Sequence, residues 1–222
     1  MKRKILLIVC LLLVIITCGC SNQKSLEFKK DYESVNGKTN QGGKEYRKIT
    51  IDEDNPYEKT DAKTILEKIE NKETFYVYFG DKLCPWCRSV IEKSIEVAKK
   101  NNIKKIYYIP IWNDEHAEIL RDKYVLENGK LKKEIEGTDD YKKLLEIFND
   151  LLSDYTLTND QGEKVDTGEK RIFAPNYIYI EKGVPKELIS GISDKQTDAY
   201  EELTKDILQD EENNFKNFFK TS

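Results

Sequence analysis

Histidine is scarce in this sequence, and there is no excess of basic over acidic residues. Among 222 residues there is one histidine, His116, and the formal net charge at pH 7 is −4. One histidine excludes metal sites built from several histidines, and an acidic chain argues against nucleic acid as a partner, because phosphate binding requires a basic surface. We interpret His116 as a surface residue rather than a proton shuttle, since it lies in the acidic stretch Asp-Glu-His-Ala-Glu.

The chain also lacks a long apolar run. Residues 5–16 are apolar, and these twelve residues are too few to span a hydrocarbon core of about 30 Å comfortably. Three basic residues precede the run, which is the layout of a secretory signal peptide, predicted here over 1–19. Gly19-Cys20 followed by Ser-Asn resembles a bacterial lipobox, although Thr17 departs from it. That resemblance implies cleavage before Cys20, a lipid on its sulfur and a lipid-anchored protein on the extracytoplasmic face of the cell membrane; an uncleaved anchor or a simple secretory signal is the alternative.

Composition divides the remainder of the chain. Residues 20–45 consist mainly of Ser, Asn, Gln, Lys and Gly, which predicts a flexible membrane tether. Within it, Phe28, Tyr32 and Val35 follow helical spacing, which predicts that part of the tether docks as a short helix. We then predict one compact domain over 46–209, with an insertion at 113–170, and a C-terminal helical tail over 210–222. The length suits one such domain and is short for two independent ones.

The pattern around residue 84 predicts a strand, a helix and a second strand. Phe75–Phe79 is a continuous apolar and aromatic run, typical of a strand buried on both faces. Apolar residues recur at helical spacing from Cys87 to about Lys100, and Ile106–Ile109 is the next strand. This order indicates a right-handed parallel β-α-β unit and an α/β fold class. Elsewhere we predict a first strand at Arg47–Ile51, a helix start at Thr60-Asp61, a hairpin over Tyr124–Ile135, a helix over Asp140–Ser153, a turn-rich stretch over Asn159–Gly168, strands at Asn176–Ile180 and Val184–Ile189, and a helix over Ala199–Leu208.

Cys84 and Cys87 form a C-x-x-C pair at the start of the predicted helix. Pro85 suits the first helical position, where a missing N–H costs nothing. We predict that Cys84 is exposed before the first turn, where the helix dipole favours its thiolate, and that Cys87 lies on the buried face. Two thiols of unequal exposure suit reversible dithiol chemistry, in which Cys84 exchanges with a substrate disulfide and Cys87 resolves the mixed disulfide.

Other interpretations of the pair are weaker. A zinc site would need two more ligands, which the domain does not supply, so we predict no metal and no cofactor besides the redox-active disulfide. Cu(I) handling by the two thiolates and a non-catalytic binding or accessory module for an exporter or envelope assembly both stay open. Lys82 and Arg88 are either thiolate-stabilising cations or solvated charges.

Two motifs carry a resemblance to a known family. Cys84-Pro85-Trp86-Cys87, with Phe173-Ala174-Pro175-Asn176-Tyr177-Ile178 downstream, resembles the thioredoxin superfamily. The chain looks most like thioredoxin-like lipoproteins of Gram-positive bacteria, which are similar to bacteriocin-transport accessory proteins. The resemblance implies a thioredoxin-like fold: a central mixed sheet flanked by helices, with an α/β insertion before the strand that follows a cis proline.

The resemblance also implies roles for residues and partners. Cys84 would be the nucleophile and Cys87 the resolving thiol, and Pro175 the cis residue of a substrate groove that also contains Ala174, Trp86 and Pro85. The protein would be a monomeric thiol–disulfide oxidoreductase acting on cysteine-containing exported proteins or peptides, with a membrane redox partner. The direction of electron flow stays open, because Tyr78 stands where thioredoxins proper carry a buried Asp.

Overall fold

The computed structural model describes residues 23–219. The predicted signal peptide over 1–19 and the predicted lipid site at Cys20 therefore lie outside the described residues. Within the described residues, no helix is both long enough and apolar enough to cross a membrane.

Helices and strands alternate from the first helix to Pro110, and most of the later elements are strands. A helix over 23–33, α1, comes first, and the others have the following bounds: β1 Tyr57–Lys59, α2 Ala62–Glu70, β2 Phe75–Gly80, α3 Pro85–Lys100, β3 Ile106–Pro110, β4 Lys123–Glu127, β5 Lys130–Ile135, α4 Asp139–Phe148, β6 Ser153–Thr158, β7 Lys164–Arg171, β8 Asn176–Glu181, β9 Val184–Ile189 and α5 Lys205–Phe218.

Five of the strands form one mixed sheet in the order β1-β3-β2-β8-β9. β3 pairs in parallel with both β1 and β2, whereas β8 is antiparallel to β2 and to β9. In the centre of the sheet, Val77 is in register with Tyr107 on one side and Ile178 on the other. The predicted α/β class and the parallel β2-α3-β3 unit are confirmed.

Helices cover both faces of this sheet, which is why β2 is buried along its whole length. Successive side chains of a strand point to opposite faces. Tyr76 and Tyr78 pack into the cluster that includes residues of α1, α3 and α5, and Phe75, Val77 and Phe79 pack with α2 and α4. The dithiol therefore lies on the tyrosine-rich face of the sheet.

The described part of the predicted tether over 20–45 contains a docked helix, as the helical spacing of Phe28, Tyr32 and Val35 predicts. Residues 23–33 are helical, and Phe28, Tyr32 and Val35 are buried. The Phe28 ring stacks on Tyr57 at 4.5 Å and meets Tyr108 edge-on at 5.1 Å. The apolar side of α1 thus covers an aromatic part of the sheet that would otherwise face water.

The predicted strand at Arg47–Ile51 is also wrong. This segment has no strand assignment, although Ile49 and Ile51 are buried, and the first strand is β1. The helix start at Asp61 is confirmed, since its side chain accepts a hydrogen bond from the Thr64 N–H at 2.8 Å.

The insertion contains two hairpins rather than one. The β4–β5 hairpin and α4 are confirmed, with Thr138 capping the helix. The stretch predicted as turn-rich, 159–168, mostly belongs to a second hairpin, β6–β7. β7 has only one apolar residue, Val165, so hydrophobic periodicity does not reveal this strand.

The C-terminal helix starts later and extends further than predicted. Thr204 caps α5 by accepting a hydrogen bond from the Ile207 N–H, so 199–204 are not helical. The predicted boundary at 209/210 falls inside α5, where Phe215 and Phe218 are buried against the sheet. The end of α5 is therefore part of the core and not a tail.

Candidate active site

The two thiols lie at the junction of β2 and α3. Cys84 is the N-cap of α3, Pro85 occupies the first turn, and the Cys87 N–H donates to the Cys84 sulfur at 3.3 Å. Both thiols are free, so the structure shows the dithiol state. The N-cap position confirms that the helix end faces Cys84.

The predicted exposure of Cys84 is wrong. Its relative exposure is 4%, against 0% for Cys87. The reason is the neighbouring loop: the Cys84 thiol donates to the Ala174 carbonyl at 3.5 Å, and partly buried Trp86 and Ala174 pack against the same cluster. Cys84 is nevertheless the more exposed of the two residues, so a partner sulfur reaches Cys84 more easily than Cys87.

The downstream motif is brought to the dithiol as the resemblance implied. The Ala174–Pro175 peptide bond is cis, and it lies directly before β8, the neighbour of β2 in the sheet. Of the residues expected to form the groove, Pro85 and Trp86 follow Cys84 in the first turn of α3, and Ala174, which precedes Pro175, accepts the hydrogen bond from the Cys84 thiol.

Cys87 belongs to a core cluster that is rich in tyrosine. Burial raises the pKa of the Cys87 thiol, while the Tyr78 hydroxyl and the Asp81 backbone act in the opposite direction. Tyr78 itself bonds Tyr32 of α1, with 2.8 Å between the two hydroxyl oxygens. The same cluster contains five fully buried tyrosines from α1, β1, β2, β3 and β8: Tyr32, Tyr57, Tyr78, Tyr108 and Tyr177.

Asp81 is a second feature that the sequence analysis missed. Its side chain is buried, with Oδ1 accepting from the Leu83 N–H at 2.9 Å and Oδ2 from the Trp112 N–H at 3.3 Å. Burial raises the pKa of Asp81 to about 7 despite these two hydrogen bonds. The signal available in the sequence was a carboxylate placed directly after a fully apolar strand.

Lys82 and Arg88 both have partners away from the sulfurs. Lys82 Nζ lies 2.6 Å from Asp31 Oδ1. Arg88 is fully buried, so the solvated-charge interpretation of this residue is wrong. Its guanidinium donates to the carbonyls of Tyr32, Arg47 and Lys82 and to Asn36 Oδ1. Arg88 thereby fastens α1 and the segment after it to the start of α3.

His116 is an exposed residue in the insertion, as predicted, with its ring centroid 4.1 Å from that of Trp112. Partial burial lowers its pKa. In residues 23–219 the structure brings no three His, Cys, Asp or Glu side chains together as a metal site.

The chain was also compared with known proteins. No protein-family model matches it, and neither does any curated protein. Function is therefore argued from the geometry of the dithiol.

Proposed function

We propose that this protein is a thiol–disulfide oxidoreductase with a thioredoxin-like fold, and that Cys84 and Cys87 are its redox pair. The observation that carries the proposal is the placement of a nearly buried Cys84 at a helix N-terminus, beside the carbonyl of a cis Ala174–Pro175 peptide, with a fully buried Cys87 behind it. The strand order and the position of the cis bond before β8 support the fold assignment.

The reaction runs through two exchanges. The Cys84 thiolate attacks one sulfur of a substrate disulfide, that S–S bond breaks, and its electron pair leaves on the other substrate sulfur. The Cys87 thiolate then attacks Cys84 Sγ, which forms the Cys84–Cys87 disulfide and releases the second substrate thiolate. The substrate is reduced and the protein oxidised; the same steps in reverse oxidise a substrate dithiol.

Several groups around Cys84 assist these steps. The free N–H groups at the start of α3 favour a negative charge on its sulfur. Before attack, the Cys84 thiol must give up its hydrogen bond to the Ala174 carbonyl, and that carbonyl then becomes available to the substrate. The partly buried indole of Trp86 offers an apolar wall beside the attacking sulfur.

The proposed setting is supported by the signal-peptide pattern over 1–19 and the lipobox-like motif at Cys20. We place the protein on the extracytoplasmic face of the bacterial cell membrane as a lipoprotein attached through Cys20. This location supports cysteine-containing exported proteins or peptides as substrates, and a membrane redox partner that renews the dithiol or the disulfide. Cleavage before Cys20 removes Lys2, Arg3 and Lys4, which takes the net charge from −4 to −7, and the anchored protein acts as a monomer in this proposal.

Replacing Cys84 with Ser is expected to reduce catalysis of insulin reduction to the uncatalysed rate, because serine cannot form the mixed disulfide. The measurement is insulin precipitation in the presence of a small thiol, with the full chain in detergent. His116→Ala is the matched control: it changes an exposed side chain of the insertion and is expected to retain full activity. Undiminished activity in the Cys84→Ser variant would defeat the mechanism and favour a non-catalytic binding module.

A further inference from the structure

The loop over residues 172–175, the Ala174 loop, carries the carbonyl that contacts Cys84. The Ala174 carbonyl accepts a hydrogen bond from the Cys84 thiol at 3.5 Å. Two residues earlier, the Ile172 carbonyl accepts from Arg121 Nη1 at 3.1 Å. Arg121 belongs to the insertion, between β3 and β4, and its side chain is 5% exposed. A buried guanidinium of the insertion therefore holds the loop that faces the dithiol.

Glu118 fixes the position of that guanidinium. Arg121 Nε donates to Glu118 Oε1 and Arg121 Nη2 donates to Glu118 Oε2, both at 2.8 Å. Two parallel hydrogen bonds between a planar guanidinium and a carboxylate fix the relative orientation of the two groups. Glu118 Oε2 also accepts from Trp112 Nε1 and from Arg171 Nη2, each at 3.3 Å. One buried carboxylate thus orders three side chains at the base of the Ala174 loop.

The same carboxylate is also linked to the residues that precede Cys84. The Trp112 backbone N–H donates to Asp81 Oδ2 at 3.3 Å, and the Cys84 N–H donates to the Asp81 carbonyl at 3.2 Å. Glu118 is therefore connected to both sides of the dithiol, through Trp112 to the start of α3 and through Arg121 to the Ala174 loop. Since hydrogen bonds are stronger in a buried environment than in water, this cluster fixes the two sides relative to each other.

We propose that Glu118 and Arg121 are positioning residues, which hold the Ala174 loop so that its carbonyl is in place for the substrate when Cys84 attacks. This inference rests on the proposed dithiol exchange and gives the insertion a part in substrate binding. Two other contacts orient the loop: the Ile172 N–H donates to the Tyr141 hydroxyl at 3.4 Å, and the Phe173 N–H donates to Asn176 Oδ1 at 2.7 Å. Neither contact involves Arg121, so a change at Arg121 is expected to loosen the loop without releasing it.

The Ala174 loop affects Cys84 in two ways, and loosening it has opposite consequences for small and large reactants. The loop covers the thiol, which leaves Cys84 only 4% exposed. A looser loop gives a small reagent easier access to the sulfur. For a protein substrate, a looser loop offers the Ala174 carbonyl less often in the binding position. Losing an interaction that is equally strong in the ground state and the transition state raises KM and leaves kcat unchanged.

We expect Arg121→Gln to raise both the rate of Cys84 alkylation by iodoacetamide and the KM for insulin about fivefold, which is the loss of one hydrogen bond expressed as a ratio. The kcat of insulin reduction is expected to stay within about twofold of the wild type. Cys87 is expected to stay unalkylated, because it lies behind Cys84 in the core. Both measurements use the full chain in detergent, and peptide mass mapping of the reduced protein assigns each alkylated thiol.

Three further variants calibrate this result. Glu118→Gln removes the carboxylate that orients Arg121, and it is expected to match Arg121→Gln. Arg121→Lys keeps the positive charge but lacks the planar fork that reaches Glu118 and Ile172 together, so we expect the same changes by a smaller factor. Lys123→Ala is the matched control: it removes an exposed ion pair with Glu134 two residues further along the insertion, and it is expected to change neither value.

The outcomes separate this inference from the proposed function. Wild-type values in Arg121→Gln and Glu118→Gln, with circular dichroism reporting a folded protein, would overturn the inference while the exchange chemistry stands. A fall in kcat together with alkylation of Cys87 would show that the whole fold loosens, which also overturns it. If these two variants do not fold, Arg121→Lys decides; if that variant does not fold either, the cluster serves folding alone and the inference is overturned. A wild-type protein that reduces no insulin would overturn the proposed function, while alkylation of Cys84 still tests the loop.

Discussion

Replacing Cys87 with Ala is expected to convert the protein into a trap for its substrates. Cys84 still attacks a disulfide, but no internal thiol remains to displace the bound partner, so the mixed disulfide accumulates. Ala removes one sulfur from a fully buried site and leaves Cys84 at the helix N-terminus. We expect adducts on most molecules of this variant after membranes are treated with an alkylating agent, and few on the wild type. Non-reducing gels followed by mass spectrometry identify the partners.

The double variant Cys84→Ser/Cys87→Ala is the control for this trap. It has neither active-site thiol, so no adduct is expected to form within the domain. Adducts of equal amount in the double variant would arise outside the dithiol and would contradict the assigned order of attack. An absence of adducts in the single variant would contradict a resolving role for Cys87.

Replacing Arg88 with Leu is expected to destabilise the fold by about 3–5 kcal/mol. The guanidinium is fully buried and serves three carbonyls and the Asn36 side chain, and leucine would leave those acceptors buried without donors. Two of the acceptors are the carbonyl oxygens of Tyr32 and Arg47. The variant is therefore expected to weaken the packing of α1 and of the segment that follows it. Urea unfolding measures the total, and hydrogen exchange over 23–47 locates it.

Two further variants calibrate the Arg88 prediction. Arg88→Lys keeps a cation with fewer donors and is expected to lose an intermediate amount of stability. Lys99→Leu changes an exposed residue near the end of the same helix, so its effect is expected to stay within about 0.5 kcal/mol. If Arg88→Leu lowers the free energy of unfolding by less than about 1 kcal/mol, the hydrogen bonds of Arg88 do not hold α1 against α3 and the assignment is contradicted.

Sequence periodicity predicted the parts of the fold whose pattern is local. The continuous apolar run of β2 and the helical spacing of α3 identify a buried strand and a helix without reference to the rest of the chain. The Cys84–Cys87 spacing then places both thiols correctly relative to that helix. The cis bond before Pro175 came from the resemblance, because the residue pattern alone does not favour the cis form.

The errors concern features that depend on tertiary partners. The spacing of Phe28, Tyr32 and Val35 predicted a short docked helix but not its partners, the rings of Tyr57 and Tyr108 that pack against Phe28. The exposure of Cys84 was overestimated because the Ala174 loop, 90 residues downstream, covers it. The hydroxyl contact of Tyr78 with Tyr32 joins two elements that no local pattern relates.

The most direct test of the central claim is a redox titration of the Cys84–Cys87 pair in the full chain. Glutathione buffers of stepped composition set the potential, and alkylation mass shifts count the free thiols. We predict a single two-electron transition between dithiol and disulfide. A midpoint near about −270 mV would indicate a reductase, and one near about −120 mV an oxidant. A pair that stays reduced, or that forms no intramolecular disulfide over the whole range, would contradict the assignment of Cys84 and Cys87 as a redox centre.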